Sequence, residues 1–248
     1  LDLTYDRDGN IVSQTKDRQI YLKLFWRTAW LSAFITAICL VLAYPVAFLL
    51  ATLPLRYSNL LMIMVLLPFW TSLLVRTTAW IVLLQSQGVI NDLMVWLGLI
   101  NDQERVQLIY NKIGTIIAMT HILLPFMVLP LYASLEKLDP RLIEAAYDLY
   151  ASRFKVLTRV ILPLAKPGIV AGCILVFIPG LGAYITPELL GGGKKLMIGN
   201  LIAIQFGSSR NWPFGSAAAL ILMTLVMLLP ALALRRRGSM ATLDSTFR

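Results

Sequence analysis

The sequence predicts an all-α, polytopic membrane protein, and three observations carry that prediction. First, 58% of the 248 residues are hydrophobic, only 14% are charged, and mean hydropathy is +0.74; a soluble domain carries about 25% charged residues to cover its surface. Second, charge-free stretches occupy residues 28–55, 57–75, 113–135, 167–187 and 211–234, and a helix crosses the hydrocarbon core in about 20 residues. Third, these stretches lack the strict alternation of barrel strands. Helices are then the spanning element, because lipid offers no partner to an exposed peptide group. The composition also excludes a disordered chain, which is poor in apolar residues.

Five transmembrane helices follow, in order. Residues 1–26 are polar, then mixed, and end in Tyr21, Phe25 and Trp26, the pattern of an interfacial helix entering the membrane. Span one carries Pro45 and span two Pro68, each a potential kink. The second run continues past Arg76, so its helix is expected over residues 60–84. The following loop contains an apolar stretch, 93–100, too short to cross and suited to the membrane surface. Span three holds Pro125 and Pro130. Asp139-Pro140 then supplies an N-cap and a first helical residue. Beyond it Leu142, Ile143, Ala146, Leu149, Tyr150, Phe154 and Leu157 recur at three- and four-residue steps, an amphipathic helix inside a basic loop. Its apolar stripe fits either the membrane surface or a partner protein.

Orientation rests on charges at span ends. Arg235-Arg236-Arg237 follow the last span directly and place the C-terminus in the cytoplasm. The 136–166 loop is then cytoplasmic, a 27–235 transmembrane domain precedes a 236–248 cytoplasmic tail, and the 1–26 segment and the loops at 91–112 and 188–210 lie outside. Basic residues divide almost evenly between the two sides. The net charge of +9 is therefore mostly a matter of fewer carboxylates inside. A polar start with no apolar h-region, placed outside by five spans, leads us to expect a further helix before residue 1.

Few residues in the spans carry chemistry. Cys39 and Cys173 read as packing residues, and with one His and two Cys a zinc cluster is out of reach. Gly191-Gly192-Gly193-Lys194-Lys195 is not a phosphate-binding loop: Glu188 stands at the first glycine position and Lys195 at the hydroxyl position. Arg76 is the one charge within a span, and it reads either as a lining residue of a path or as a structural arginine paired with carbonyls or with Glu188. Tyr184 and Glu188 suit an amine cation through charge and ring attraction, or a loop anchor. Trp70 and Trp80 fit a path or an interfacial belt, with the belt favoured for Trp80. His121 reads as a neutral packing residue rather than a proton relay. Gly180, Gly182 and Ala217 to Ala219 read as close-contact positions.

The stretch Glu144-Ala145-Ala146-Tyr147-Asp148-Leu149-Tyr150-Ala151-Ser152, followed by Val160-Ile161-Leu162-Pro163, resembles the EAA loop of binding-protein-dependent ABC transporter permeases. The spacing fits throughout; Val160 replaces Ile, and Tyr150 replaces a glycine whose freedom at positive φ serves a turn. The segments Pro68 to Trp80, Thr186-Pro187-Glu188-Leu189-Leu190-Gly191-Gly192 and Asn211-Trp212-Pro213-Phe214-Gly215 resemble the spermidine/putrescine-type branch. The resemblance covers roughly residues 20–238.

The resemblance implies a type I importer-permease fold in the inner membrane, usually with six helices. It also implies an EAA loop docked in an ATPase groove through Glu144, Ala145, Ala146, Tyr150, Ala151, Leu162 and Pro163. A path for a polyamine or related amine would run past Trp70, Arg76, Tyr184 and Glu188. The implied partners are a second permease, similar or identical, an ATPase dimer holding ATP and magnesium, and a periplasmic solute-binding protein, besides membrane lipid. No cofactor on this chain, no enzymatic activity of its own and no nucleic-acid partner are expected. A single-chain secondary transporter is the alternative; it calls for inverted repeats and more intramembrane carboxylates. A membrane-embedded enzyme would need a catalytic cluster that the spans lack.

Overall fold

The computed structural model describes residues 3–5, 11–13, 21–192 and 197–244, and side chains over 21–192 and 197–228. Two short antiparallel strands, β1 (Leu3–Tyr5) and β2 (Ile11–Ser13), pair with Thr4 opposite Val12. The polarity of this segment predicts no strand; the β-branched residues Thr4, Ile11 and Val12 supply the propensity.

The other described elements are helical. They are α1 (Tyr21–Thr52), α2 (Leu55–Leu66), a 3-10 turn (Leu67–Trp70), α3 (Leu73–Leu84), α4 (Val89–Trp96), a second 3-10 turn (Asp102–Glu104), α5 (Lys112–Leu135), α6 (Pro140–Asp148), α7 (Arg153–Val156), a π-turn (Leu157–Ile161), α8 (Leu162–Gly182), α9 (Ile185–Gly191), α10 (Ile198–Phe206) and α11 (Trp212–Asp244). The apolar runs fall mainly on helices. Four stretches, Tyr21–Thr52, Leu73–Trp96, Lys112–Leu135 and Arg153–Gly182, are long and apolar enough to cross a membrane, and Leu55–Trp70 and Trp212–Leu228 are shorter apolar helices.

The core is a three-helix unit in which α5 packs against both α1 and α8, and those two touch each other. On α1 the buried residues Ser32, Ile35, Cys39, Ala43, Ala47 and Leu50 recur every three or four positions. Small side chains along this stripe let the helix backbones approach, which is how helices associate when the surrounding solvent is as apolar as they are. On α8 the same device is sharper. A Cβ built on Gly168 would lie 2.5 Å from Pro130 O and from Ser134 Cβ, and one on Gly172 would lie 2.6 Å from Met127 Sδ. These two glycines, four residues apart, seat α8 directly on α5. Gly180 meets Ser32 on α1 at 3.4 Å, as expected of a contact position, but Gly182 has nothing within 4 Å. Of the three alanines only Ala218 is fully buried. Cys39 and Cys173 are free thiols; Cys39 is buried and its Sγ donates to Thr120 O at 3.6 Å. Trp26, Trp30, Val41, Leu60, Ile63, Leu74 and Val75 point outward, toward the lipid that accommodates them.

Three helix boundaries depart from the sequence expectation. The helix expected over 60–84 is interrupted: α2 ends at Leu66, the 3-10 turn holds Pro68, and Thr71 (φ −99°, ψ 143°) is extended before α3 begins. Proline removes a backbone donor and obstructs the preceding turn. Pro68 O, left at the end of the turn, accepts from Thr71 Oγ1 at 2.8 Å and from Thr71 N at 3.3 Å. The fourth span stops at Gly182 rather than reaching 187, because Ala183 turns extended before α9. Finally, α11 runs on through Arg235 to Asp244 rather than ending at the arginines.

The glycine contacts make a direct prediction. Gly168→Leu must displace backbone and should destabilise the detergent-solubilised protein by about 1–3 kcal/mol, the usual cost of overpacking. Gly182→Ala should be neutral. Thermal unfolding of the two variants side by side checks both outcomes.

Candidate functional site

Two regions at opposite ends of the core carry the candidate residues. The first is the segment joining α5 to α8. Asp139 caps α6 as expected, accepting from Arg141 N at 3.0 Å, with Pro140 in the first turn. The apolar stripe does not form one long helix. α6 stops at Asp148 in a Schellman arrangement, with Ala151 N donating to Ala146 O (3.1 Å) and Tyr150 N to Tyr147 O (2.8 Å). That closure requires a left-handed residue, and Tyr150 supplies it at φ 57°. The turn that a glycine would make easily is therefore kept despite the tyrosine.

Ile143, Ala146 and Ala151 pack back onto the main core, while Val156 and Ile161 are buried. Glu144, Ala145 and Pro163 are exposed, and Leu162 is half-buried. Leu142, Tyr147, Leu149, Tyr150 and Phe154 form an exposed apolar surface around them, with Leu149 83% and Tyr150 97% accessible. α7 joins α8 through the π-turn, where Leu162 N reaches Leu157 O, five residues back. Pro163 has no N–H to continue a regular ladder, so the widened turn absorbs the gap.

The second region lies where α3, α5, α8 and α9 meet. A cavity of about 400 Å³ is lined by Phe69, Leu73, Arg76, Phe126, Tyr184 and Thr186 among others. The rings of Phe69 and Phe126 meet at a tilt of 57°, with centroids 4.7 Å apart. Arg76 is half-buried, and its Nε is buried without a hydrogen-bond partner. Neither ion pair among the described residues involves it. The Arg76–Glu188 pair, one of the readings open for Arg76, does not form among the described residues: Glu188 Oε2 accepts from Asn200 Nδ2 at 2.6 Å. Of the four expected path residues, the cavity gathers Arg76 and Tyr184. Glu188 and Trp70 lie outside its lining, and Trp70 is 90% exposed. His121 accepts at Nδ1 from Trp80 Nε1 at 3.2 Å, and the two rings meet edge to face at 5.3 Å.

Two residues that organise this end were not singled out from sequence. Asn200, 1% exposed, donates to Tyr184 O (3.0 Å) as well as Glu188 and accepts from Met197 N (3.2 Å). Nearby, Thr28 Oγ1 on α1 accepts from Ile198 N at 3.0 Å. Asn91, fully buried, closes the α3–α5 loop by donating to Gln85 O (2.9 Å) and Val106 O (3.0 Å) and accepting from Val106 N (3.0 Å). Arg105 bridges Asp92, Asp102 and Ser86 O in the same loop. Asp102 first, then Asp92, holds its guanidinium pKa above the usual range. An asparagine at the third residue of a short helix is the sequence signal that both sites offered.

Comparison with known proteins decides the family. Residues 20–237 match the family model for the binding-protein-dependent transport system inner membrane component. The chain belongs to this family. It is 44% identical over 210 residues to the spermidine/putrescine transport system permease protein PotB of Haemophilus influenzae, covering 85% of this chain and 73% of that protein. It is 43% identical over 208 residues to its counterpart in Escherichia coli K12, covering 84% and 74%. The E. coli inner membrane ABC transporter permease protein YdcU is 35% identical over 216 residues, covering 82% and 67%. A bacterial ABC transporter involved in the import of the acidic polysaccharide alginate shares the fold at a TM-score of 0.61 and 20% identity, over 87% of this chain and 80% of that one. The type I permease fold and the role of importer permease follow. This subunit is not an enzyme, and ATP hydrolysis belongs to the partner ATPase.

The Tyr150 geometry and the Asn200 bonds each give a test. Tyr150→Gly should raise stability by up to about 1 kcal/mol, because a left-handed non-glycine residue costs roughly 1–2 kcal/mol and glycine returns part of that through chain entropy. Asn200→Leu strands buried polar groups and should cost about 2–4 kcal/mol, at roughly 1–3 kcal/mol for each such group. Thermal or chemical unfolding in detergent reads both.

Proposed function

We propose that this permease forms half of a translocation path for a polyamine or a related small amine, and that α6–α7 docks it on an ATPase. The observation that carries the docking is the exposed surface of Leu142, Tyr147, Leu149, Tyr150 and Phe154 around Glu144. A soluble or lipid-facing helix has little use for a carboxylate ringed by exposed apolar groups on a short, capped, rigid turn. A protein groove has use for both, since apolar anchors supply affinity and a charged group sets register. Ala145, exposed beside Glu144, allows close backbone approach, while Ala146 and Ala151, which pack on the core, join Leu162 and Pro163 in connecting the contact to α8.

The amine substrate rests on the 43–44% identity to permeases named for spermidine and putrescine. The aromatic lining of the cavity, Phe69, Phe126 and Tyr184, is compatible with alkylamine chains. Trp70 and Glu188 would stand at the approach to that cavity. In this reading a second permease, similar or identical, completes the path. A periplasmic binding protein, such as the one in the alginate importer complex, delivers solute at the α9–α10 end. ATP and magnesium sit on the ATPase pair. The arginines at 235–237 and the 136–166 loop face the cytoplasm, the 27–235 domain spans the inner membrane, and residues 1–26 lie outside.

Glu144→Lys should leave the protein in the membrane and lower both ATPase co-purification and uptake by at least about tenfold, the effect of about 1.4 kcal/mol. Uptake at the wild-type level would remove the docking role. Labelled spermidine and putrescine uptake, in cells lacking their own polyamine importers, tests the substrate class.

A further inference from the structure

We propose that Tyr150 is an aromatic anchor for the partner ATPase, its ring entering an apolar recess of the ATPase groove with a hydrogen-bonding group at its floor. The proposal rests on the docking reading above and gives one side chain of that surface a role of its own. Tyr150 sits at φ 57°, where Cβ crowds the following carbonyl and most residues other than glycine are strained. The backbone bonds of the turn, Tyr150 N to Tyr147 O and Ala151 N to Ala146 O, impose that conformation. Nothing within the chain repays its cost. The side chain is 97% accessible, and among the described residues its ring pairs with no other ring and its hydroxyl makes no hydrogen bond. A strained residue without an internal contact points to a use outside the chain.

The base of the ring is fixed. Asp139 caps the start of α6, the Schellman bonds close its end, and Ala146 and Ala151 pack on the core. A phenol ring on such a base loses little freedom on docking, and tyrosine is among the residues that dominate interface energies. The occupant is a protein rather than lipid. Glu144 and Asp148 are exposed one turn apart on α6. Carried with the ring into a bilayer surface, these carboxylates would lose water without gaining partners, whereas a protein groove can supply donors. An ATPase that lacks the recess meets the ring as a clash, so the anchor also restricts which ATPase this permease accepts.

The test uses the whole complex, permease pair with ATPase, in detergent without nucleotide. Release of fluorescently labelled ATPase is timed after addition of excess unlabelled ATPase, and the melting temperature of each variant is measured alongside. Tyr150→Gly and Tyr150→Asn both remove the ring and both suit the left-handed turn. Each should speed release at least about tenfold while the melting temperature holds or rises. Tyr150→Phe keeps the ring and should stay within about threefold of wild type. Wild-type release in either Tyr150→Gly or Tyr150→Asn, the result expected if the ring lies on lipid, overturns the anchor. So does release from Tyr150→Phe as fast as from Tyr150→Gly, and so does faster release that comes with a lower melting temperature in both ring-deleted variants, which marks a structural role. Glu144→Lys is run beside them. Fast release from it, with wild-type release from the Tyr150 variants, keeps the docking turn and removes the anchor; wild-type release from all of them removes the docking reading as well.

Discussion

The rest of the structure depends on the seating of α8 on α5. Lipid gives helices no hydrophobic reason to associate, so contact must come from close backbone approach and buried polar bonds. Gly168 and Gly172 allow that approach against Pro130, Ser134 and Met127, and the small stripe of α1 closes the third side. Once α5 and α8 are fixed, the segment between them is fixed at both ends. The short α6, its Schellman turn and the π-turn are what remain possible in the span between Leu135 and Leu162. The outward display of Glu144, Leu149 and Phe154 follows from that packing.

At the other end the helices stop early, and the freed peptide groups need partners. In a membrane protein this is the governing cost. Thr71 covers Pro68, Asn91 closes the α3–α5 loop, and Thr28 and Asn200 hold the start of α10. The Asn200 bond to Glu188 also fixes that carboxylate toward α10, and no ion pair with Arg76 forms among the described residues.

Much of this was legible in the sequence, and the remainder was hidden for definable reasons. Apolar run lengths located the helices, and Asp139-Pro140 located the start of α6, because both signals are local. The break at Thr71 was less visible, since one proline in a long apolar run permits a kink or a stop, and only packing chooses. Tyr150 at φ 57° was unexpected from residue preference, because the turn is imposed by its neighbours' bonds and not by its own conformational ease. Gly182 reads as a contact position in the sequence and meets nothing within 4 Å, while Gly168 and Gly172 touch α5; composition alone does not say which glycine faces a neighbour. Pairing across long separations, Asn200 with Glu188 or Thr28 with Ile198, left no periodic trace.

The central claim is that the α6–α7 turn is the surface by which this permease meets its ATPase. Cross-linking from a single cysteine at Leu149, the exposed apex of that turn, tests it most directly. In the assembled complex, with Cys39 and Cys173 replaced by alanine, Leu149→Cys labelled with a maleimide–benzophenone reagent and irradiated should yield a covalent adduct with the ATPase, while Leu99→Cys at the opposite end should yield none. Adducts absent from Leu149→Cys, or labelling of that cysteine from outside intact cells by an impermeant reagent, would contradict the account.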